Sequence, residues 1–329
     1  MKNLSALLRK IARRRLLVIG DVMLDHYFWG DATSISPEAP VPVVNVFNAT
    51  DTVGGAANVA NNIAALGAAA EVVGAIGRDY NGDKLRTNLR ERRIEFDQQF
   101  LLTGARTITK TRVIVRNQQL CRLDHEDNPG VYRRVLETPG RWSLLEAKIA
   151  RSDGVILSDY AKGVLTTDVI SRVAKLARRH RKFIALDPKP ASGNQFQGLD
   201  LITPNRREAL ELAGLNSGAD AEADFAKVCS LIWAKYSPNN LVITLGPDGM
   251  LTSVRGRVIR TIPTAARQVY DVSGAGDTVI AALTLAMTSG ASLEQAAHFA
   301  NAAAGVVVGK LGTATVTPRE LQAYADAAE

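Results

Sequence analysis

Cysteine, aromatic residues and long apolar runs are all scarce in this chain, and each scarcity removes a class of protein. Cys121 and Cys229 are the only cysteines, and neither has a CxxC partner or a nearby histidine. A disulfide framework and a zinc site are therefore not expected, and both read as packing residues. Aromatics make up 5% of the chain, and none is interleaved with the basic clusters Arg13–Arg15, Arg90–Arg93 and Arg178–Lys182. The strip of rings and cations that holds nucleic acid is missing, so these clusters read as solvated faces. No run of about 18 apolar residues occurs. The segment Met1–Arg15 is basic and helix-prone, without a signal-peptide core. A cytoplasmic protein, with neither a membrane nor a nucleic-acid partner, is the expectation.

What is present suits a large soluble core. The chain has 329 residues, 46% of them hydrophobic, and a net charge of +7 that fits an enzyme of phosphorylated substrates. Short β-rich runs (Leu16–Ile19, Val72–Ile76, Val155–Leu157, Phe183–Leu186, Leu199–Ile202, Leu241–Leu245) alternate with helical patterns (Gly55–Leu66, Asp168–Arg179, Arg206–Leu212, Ala221–Lys235). Such alternation predicts an α/β fold with a central, mostly parallel sheet flanked by helices on both faces. Ligands then bind beyond the carboxyl ends of the strands, where Asp21, Asp25, Asp159, Asp187 and Asn205 fall. Two extended segments, about 38–48 and 105–124, do not fit the alternation and predict a small separate antiparallel sheet, a lid or a dimer contact. With no repeat and no linker, residues 1–329 read as one domain.

The most informative segment is Asp271-Val-Ser-Gly-Ala-Gly-Asp-Thr278, which runs into the apolar stretch Val279–Met287. Gly274, Ala275 and Gly276 leave their N–H groups open to a ligand, and a helix starting there adds its positive dipole end. Asp277 stands in the first turn, where it can take a proton from a hydroxyl while the amides hold a phosphoryl group. An ordinary helix start, capped by Asp271 or Ser273, is the alternative. Other phosphate motifs are absent. Gly305–Lys310 has only three residues between its glycines and Leu311 after the lysine, so it is not a P-loop and reads as helix packing. Gly20 is followed by Asp21, Val22 and Met23, not by the glycines of a dinucleotide fingerprint.

A second glycine segment, Gly54-Gly55-Ala56-Ala57-Asn58, also runs into a helical pattern. Together with the Asp25 turn, Asn205-x-x-Glu208, Thr244-Leu-Gly-Pro-Asp-Gly249 and Gly274-Ala-Gly-Asp277, it makes the chain resemble the ribokinase-type (PfkB-type) carbohydrate kinases. The resemblance spans nearly the whole chain. It implies a ribokinase-like fold with a β-sheet lid, ATP and Mg²⁺ as cofactors, and room for a monovalent cation. It makes Asp277 the base and Gly274, Ala275 and Gly276 the anion hole. Asp21, Asp25, Gly54, Gly55, Asn58, Asp159 and Asp187 become sugar contacts, and Asn205, Glu208, Thr244, Gly246, Gly249 and Asn301 nucleotide contacts. Asn205 and Glu208 would organise the metal through water; they equally fit a helix cap and a surface acid. Thr244–Gly249 equally fits a plain hairpin turn.

Further segments, Ser158-Asp-Tyr-Ala-Lys-Gly163, Asp187-Pro-Lys189, Asn117–Asp124, Gly20–Asp25 and Ser36–Pro42, resemble the D-glycero-β-D-manno-heptose-7-phosphate kinases of that family. This implies ATP-dependent phosphorylation of the anomeric C1 hydroxyl, on the route to ADP-heptose and the lipopolysaccharide inner core, and a homodimer through the lid. Arg112, Lys162 and Lys189 become candidates for gripping the 7-phosphate; each is alternatively a salt-bridge partner. The expected product is the bisphosphate, since the His-x-Gly-His signature of a nucleotidyltransferase domain is absent from the sequence. A separate phosphatase and adenylyltransferase are then implied. A kinase of another sugar or nucleoside remains open, as does a non-catalytic protein binding a sugar phosphate or nucleic acid.

Overall fold

A computed structural model describes residues 4–116, 118–215 and 224–327. In chain order the strands are β1 Arg15–Gly20, β2 Val22–Ile35, β3 Pro42–Gly55, β4 Ala69–Val73, β5 Ile76–Gly77, β6 Ile94–Phe96, β7 Leu101–Leu102 and β8 Thr109–Val115. They continue as β9 Gln118–His125, β10 Gly154–Ser158, β11 Phe183–Asp187, β12 Leu201–Ile202, β13 Asn240–Thr244, β14 Met250–Val254 and β15 Arg257–Ile262. Nine of them form one sheet in the order β15-β14-β13-β12-β11-β10-β1-β4-β6, parallel from β13 to β6 and closed at the other edge by an antiparallel hairpin.

The continuous apolar runs are explained by burial on both faces. Successive side chains of a strand point to opposite sides, so Leu16 and Val18 join one core while Leu17 and Ile19 join the other. The first core also takes the helices Ala56–Ala65, Ala275–Thr288 and Leu293–Val307. The last two are alanine-rich where they are buried (Ala281, Ala282, Ala286, Ala297, Ala300, Ala303), which lets their backbones approach the sheet. Gly305 belongs to this packing, because a Cβ there would meet the Ala265 backbone at 3.1 Å.

Several expectations need correction. The small sheet has four strands, β3-β2-β8-β9, and is mixed, because β2 runs parallel to β8. Strand β2 was not read from the sequence: Asp25 lies inside it and not in a turn. Val72–Ile76 divides into β4 and β5, and Leu199–Ile202 contracts to two paired residues. The first turn expected for the helix at Ala221, and Asn117 of the lid segment, lie outside the described residues; the helix is seen as Phe225–Tyr236, capped by Asp224.

The sheet edge near β4 and β6 contains a buried charge cluster. Lys148 Nζ donates to Glu71 Oε1 at 2.7 Å and lies 3.0 Å from Asp97, and Arg151 also grips Glu71. Glu71 and Lys148 are 2% and 4% exposed. Removing Glu71 leaves buried Lys148 with only Asp97 as a partner, a loss expected at the low end for breaking a buried pair, about 3 kcal/mol. Glu71→Ala is expected to lower the urea midpoint accordingly while leaving the slope of the transition unchanged.

Candidate active site

Strand β1 sits between β4 and β10, and the chain runs outward from it in both directions. This reversal leaves a crevice at the carboxyl ends of the strands. Gly20 is required at its floor, since a Cβ there would lie 2.0 Å from Ser158 O on the neighbouring strand. Asp21, Asp159, Asp187 and Asn205 follow or end the strands that border it.

The helix Ala275–Thr288 points its first turn into this region. Its N-cap is Gly274, in the left-handed conformation at φ 77°, and no side chain caps it. Asp271 is used elsewhere: it accepts from Ser273 N at 2.8 Å and Gly312 N at 3.0 Å, tying two loops together. The capped-start alternative therefore fails. Of the three amides expected in the anion hole, that of Ala275 donates to Val272 O at 3.2 Å, and it is Gly274 and Gly276 that line the cleft.

Asp277 is 5% exposed and held from both sides. Asn58 Nδ2 donates to Oδ2 at 2.7 Å, and the Tyr160 hydroxyl donates to Oδ1 at 2.5 Å. Burial pushes its pKa up to about 6, against the lowering effect of those two hydrogen bonds. A carboxylate in that range is ionised at neutral pH yet basic enough to accept a proton. The cleft beside it, about 190 Å³, is lined by Asp159, Asp187, Asn205, Glu208 and Thr244 together with Lys189. Asp187 is raised well above the usual carboxylate range, first by burial and then by the negative charges of Glu208 and Asp277. Asp187, Asn205 and Glu208 bring oxygen atoms to this cleft, the ligand type a hard divalent ion takes, with Lys189 paired to Glu208 beside them.

The remaining sequence-derived residues separate into groups. Asp25 accepts from Arg112 at 2.6 Å, and Gly54 makes room for it, since a Cβ there would come 2.5 Å from Asp25 Oδ2. Lys162 pairs with Glu126 at 2.6 Å and Lys189 with Glu208 at 2.9 Å. Lys189 thus stands with the cleft residues, whereas Arg112 and Lys162 pair with acids outside that lining. Asn205 and Glu208 form a reciprocal capping box on the helix Arg206–Leu212, so the cap reading is correct and leaves Glu208 Oε1 facing Lys189.

Four assignments are corrected. Asp21 is fully buried and its carboxylate is taken up by the N–H groups of Tyr160, Lys162 and Val164 at 2.9 to 3.0 Å; it shapes the 160–164 loop and offers nothing to a sugar. Gly55 is glycine for its φ of 57° against Asp21 O, not for a ligand. Gly249 is likewise required by its own hairpin, where a Cβ would lie 2.0 Å from Ile262 O, while Gly246 faces open space. Asn301 spends its amide on Pro263 O and Ala265 N and so supports a loop. Asp159 is also well occupied, by Ala161 N, Ser192 Oγ and Asn194 Nδ2. Tyr160 and Thr203 were missed as site residues. Tyr160 lay in a segment noted only for its resemblance, and its reach to Asp277 spans 117 positions of chain.

Comparison with known proteins agrees with this geometry. Residues 13–320 match the pfkB family of carbohydrate kinases. Among curated proteins, the chain is 45% identical to the bifunctional protein HldE of Halorhodospira halophila over 311 residues, 94% of this chain and 63% of that protein. It is 43% identical to HldE of Caulobacter vibrioides, covering 99% and 66%. The chain thus spans a little under two thirds of the length of these relatives. Among solved structures, a putative ribokinase from Agrobacterium tumefaciens superimposes with a TM-score of 0.77 at 21% identity, covering 96% of this chain and 99% of the other. Phosphofructokinase-2 from Escherichia coli, in complex with substrates and products, gives 0.71 at 20% identity, covering 96% and 100%. With a ribokinase-like sheet, an uncapped glycine helix start and a buried aspartate beside it, the chain belongs to the pfkB family of carbohydrate kinases.

Proposed function

We propose that this kinase transfers the γ-phosphoryl group of ATP to the C1 hydroxyl of D-glycero-β-D-manno-heptose 7-phosphate, giving the 1,7-bisphosphate. The observation that carries the reaction type is the Asp277 carboxylate, buried, clamped and basic, at the start of a helix that no side chain caps. The C1 oxygen bonds to the γ-phosphorus as the bridging bond to ADP breaks, and the hydroxyl proton passes to Asp277. In-line transfer of this kind needs mainly positioning and charge neutralisation. The amides of Gly274 and Gly276 and the ammonium of Lys189 are suited to the charge on the moving group. Asp187, Asn205 and Glu208 would hold Mg²⁺, which supplies neutralisation of the nucleotide phosphates when bound.

Support for the heptose comes from the motifs named in the sequence and from the 40–45% identity to proteins called HldE. A substrate that already carries a phosphate needs cations of its own, and Arg112 and Lys162 are suited to that task. Each is paired with an acid, Asp25 and Glu126, that an incoming sugar phosphate would replace. The outward apolar residues of the small sheet, Ile35, Phe47 and Leu123, suit a lid that pairs with a second copy. ADP-heptose synthesis would then require a phosphatase and an adenylyltransferase activity after this step, in the cytoplasm where ATP is available. No helix among the described residues is long and apolar enough to cross a membrane.

Asp277→Asn removes the base without adding bulk and is expected to lower kcat by a factor of at least about one hundred, with ATP binding by calorimetry nearly unchanged. The pKa near 6 sets the pH dependence: the base works ionised, so kcat/KM should fall as pH drops through about 6 and level off above it. Lys162→Ala should raise KM about tenfold for the phosphorylated sugar and far less for its dephosphorylated counterpart, whereas Lys189→Ala should lower kcat on both. Equal effects of Lys162→Ala on the two sugars would remove it from the phosphate grip.

A further inference from the structure

We infer that Tyr160 is a positioning residue that sets both the orientation and the basicity of Asp277, and that Asp21 exists to place it. Three observations combine. First, the two oxygens of Asp277 are held by different elements: Oδ2 by Asn58 from the helix Ala56–Ala65, and Oδ1 by the Tyr160 hydroxyl from the loop after β10. With both oxygens fixed, the carboxylate cannot rotate, and one lone-pair direction on each side is left for the acceptor hydroxyl.

Secondly, Tyr160 can only donate in this bond. Burial and the neighbouring Asp277 charge push its phenol well above its ordinary pKa, so it stays protonated over the working range. With the Asn58 amide, its bond stabilises the ionised form of Asp277 and counteracts the burial and the nearby Asp25 charge that raise the carboxylate. Without the phenol donor, the base would be more heavily protonated at neutral pH.

Thirdly, the loop carrying Tyr160 is built around a buried anion. Asp21 accepts from Tyr160 N, Lys162 N and Val164 N while Asp159 accepts from Ala161 N, so residues 160–164 fold over two carboxylates, with Ala161 at a φ of 57°. A buried carboxylate with no cationic partner is costly; here it is satisfied by backbone amides alone, and its product is the placement of one side chain. Asp21, Tyr160 and Asp277 thus form a relay from the end of β1 to the reacting hydroxyl.

The inference rests on Asp277 being the base, and the test separates the two. The midpoint of the acid limb of kcat/KM against pH is measured for the wild type, for Tyr160→Phe and for protein carrying 3-fluorotyrosine at position 160, a stronger donor. Loss of one charge-assisted hydrogen bond should move the midpoint up by about one pH unit in Tyr160→Phe, and the fluorinated residue should move it down. Asp21→Asn, which weakens the loop's anchor, should move it in the same direction as Tyr160→Phe. An unchanged midpoint in Tyr160→Phe overturns the inference whether or not kcat falls, because a purely structural residue lowers activity without moving the limb. Wild-type turnover by Asp277→Asn would instead overturn the base itself.

Discussion

One carboxylate at the start of a helix governs the site. Asp277 is taken almost wholly out of water, which by itself favours its neutral form, and is returned to a usable basicity by the amide of Asn58 and the phenol of Tyr160. The balance matters because a fully solvated aspartate would be too weak a base, and an unassisted buried one would carry its proton at neutral pH. Everything else near the cleft is arranged so that this balance survives. Gly274 is part of it: a Cβ there would lie 2.8 Å from the Asn58 nitrogen that holds the carboxylate.

The fold supplies the rigidity. The central strands of the large sheet divide their side chains between two cores, so their ends are fixed from above and below. The helix bearing Asp277 is packed on all sides, with ten consecutive residues buried from Asp277 to Ala286. The loop bearing Tyr160 follows β10, next to β1 in the sheet, and Asp21 binds it to the end of β1. Asp277 and its phenol partner therefore come from separate elements held by the same sheet. The small sheet stands apart, presenting Arg112 to Asp25 and leaving β9 exposed along its whole length.

Much of this was legible in the sequence. The alternation of apolar runs and helical periods yielded the parallel sheet, and the Gly-Ala-Gly-Asp segment yielded the helix start with the aspartate in its first turn, because both depend on local pattern. What escaped depended on distance or on the absence of a period. Strand β2 reads Val-Met-Leu-Asp-His-Tyr-Phe-Trp, with a carboxylate where a turn was expected, and only pairing to β3 and β8 makes it a strand. Asp21 looked like a ligand group, since nothing local indicates that three amides of a loop some 140 positions away will enclose it. Gly55 and Gly249 looked like ligand glycines, when close backbone neighbours explain them. Asn205 and Glu208 were readable both as a cap and as a metal organiser; the capping box bears out the first, and the second belongs to the proposed function.

In the proposed reaction a hydroxyl proton goes to Asp277 as a phosphoryl group reaches the anomeric oxygen of a heptose phosphate. The most direct measurement is phosphorus NMR of the product formed from ATP, Mg²⁺ and D-glycero-D-manno-heptose 7-phosphate, run beside ribose, fructose, fructose 6-phosphate and adenosine. The expected product is a C1 phosphate, formed from the heptose phosphate alone. A phosphate on another acceptor, or at another position of the heptose, would contradict it.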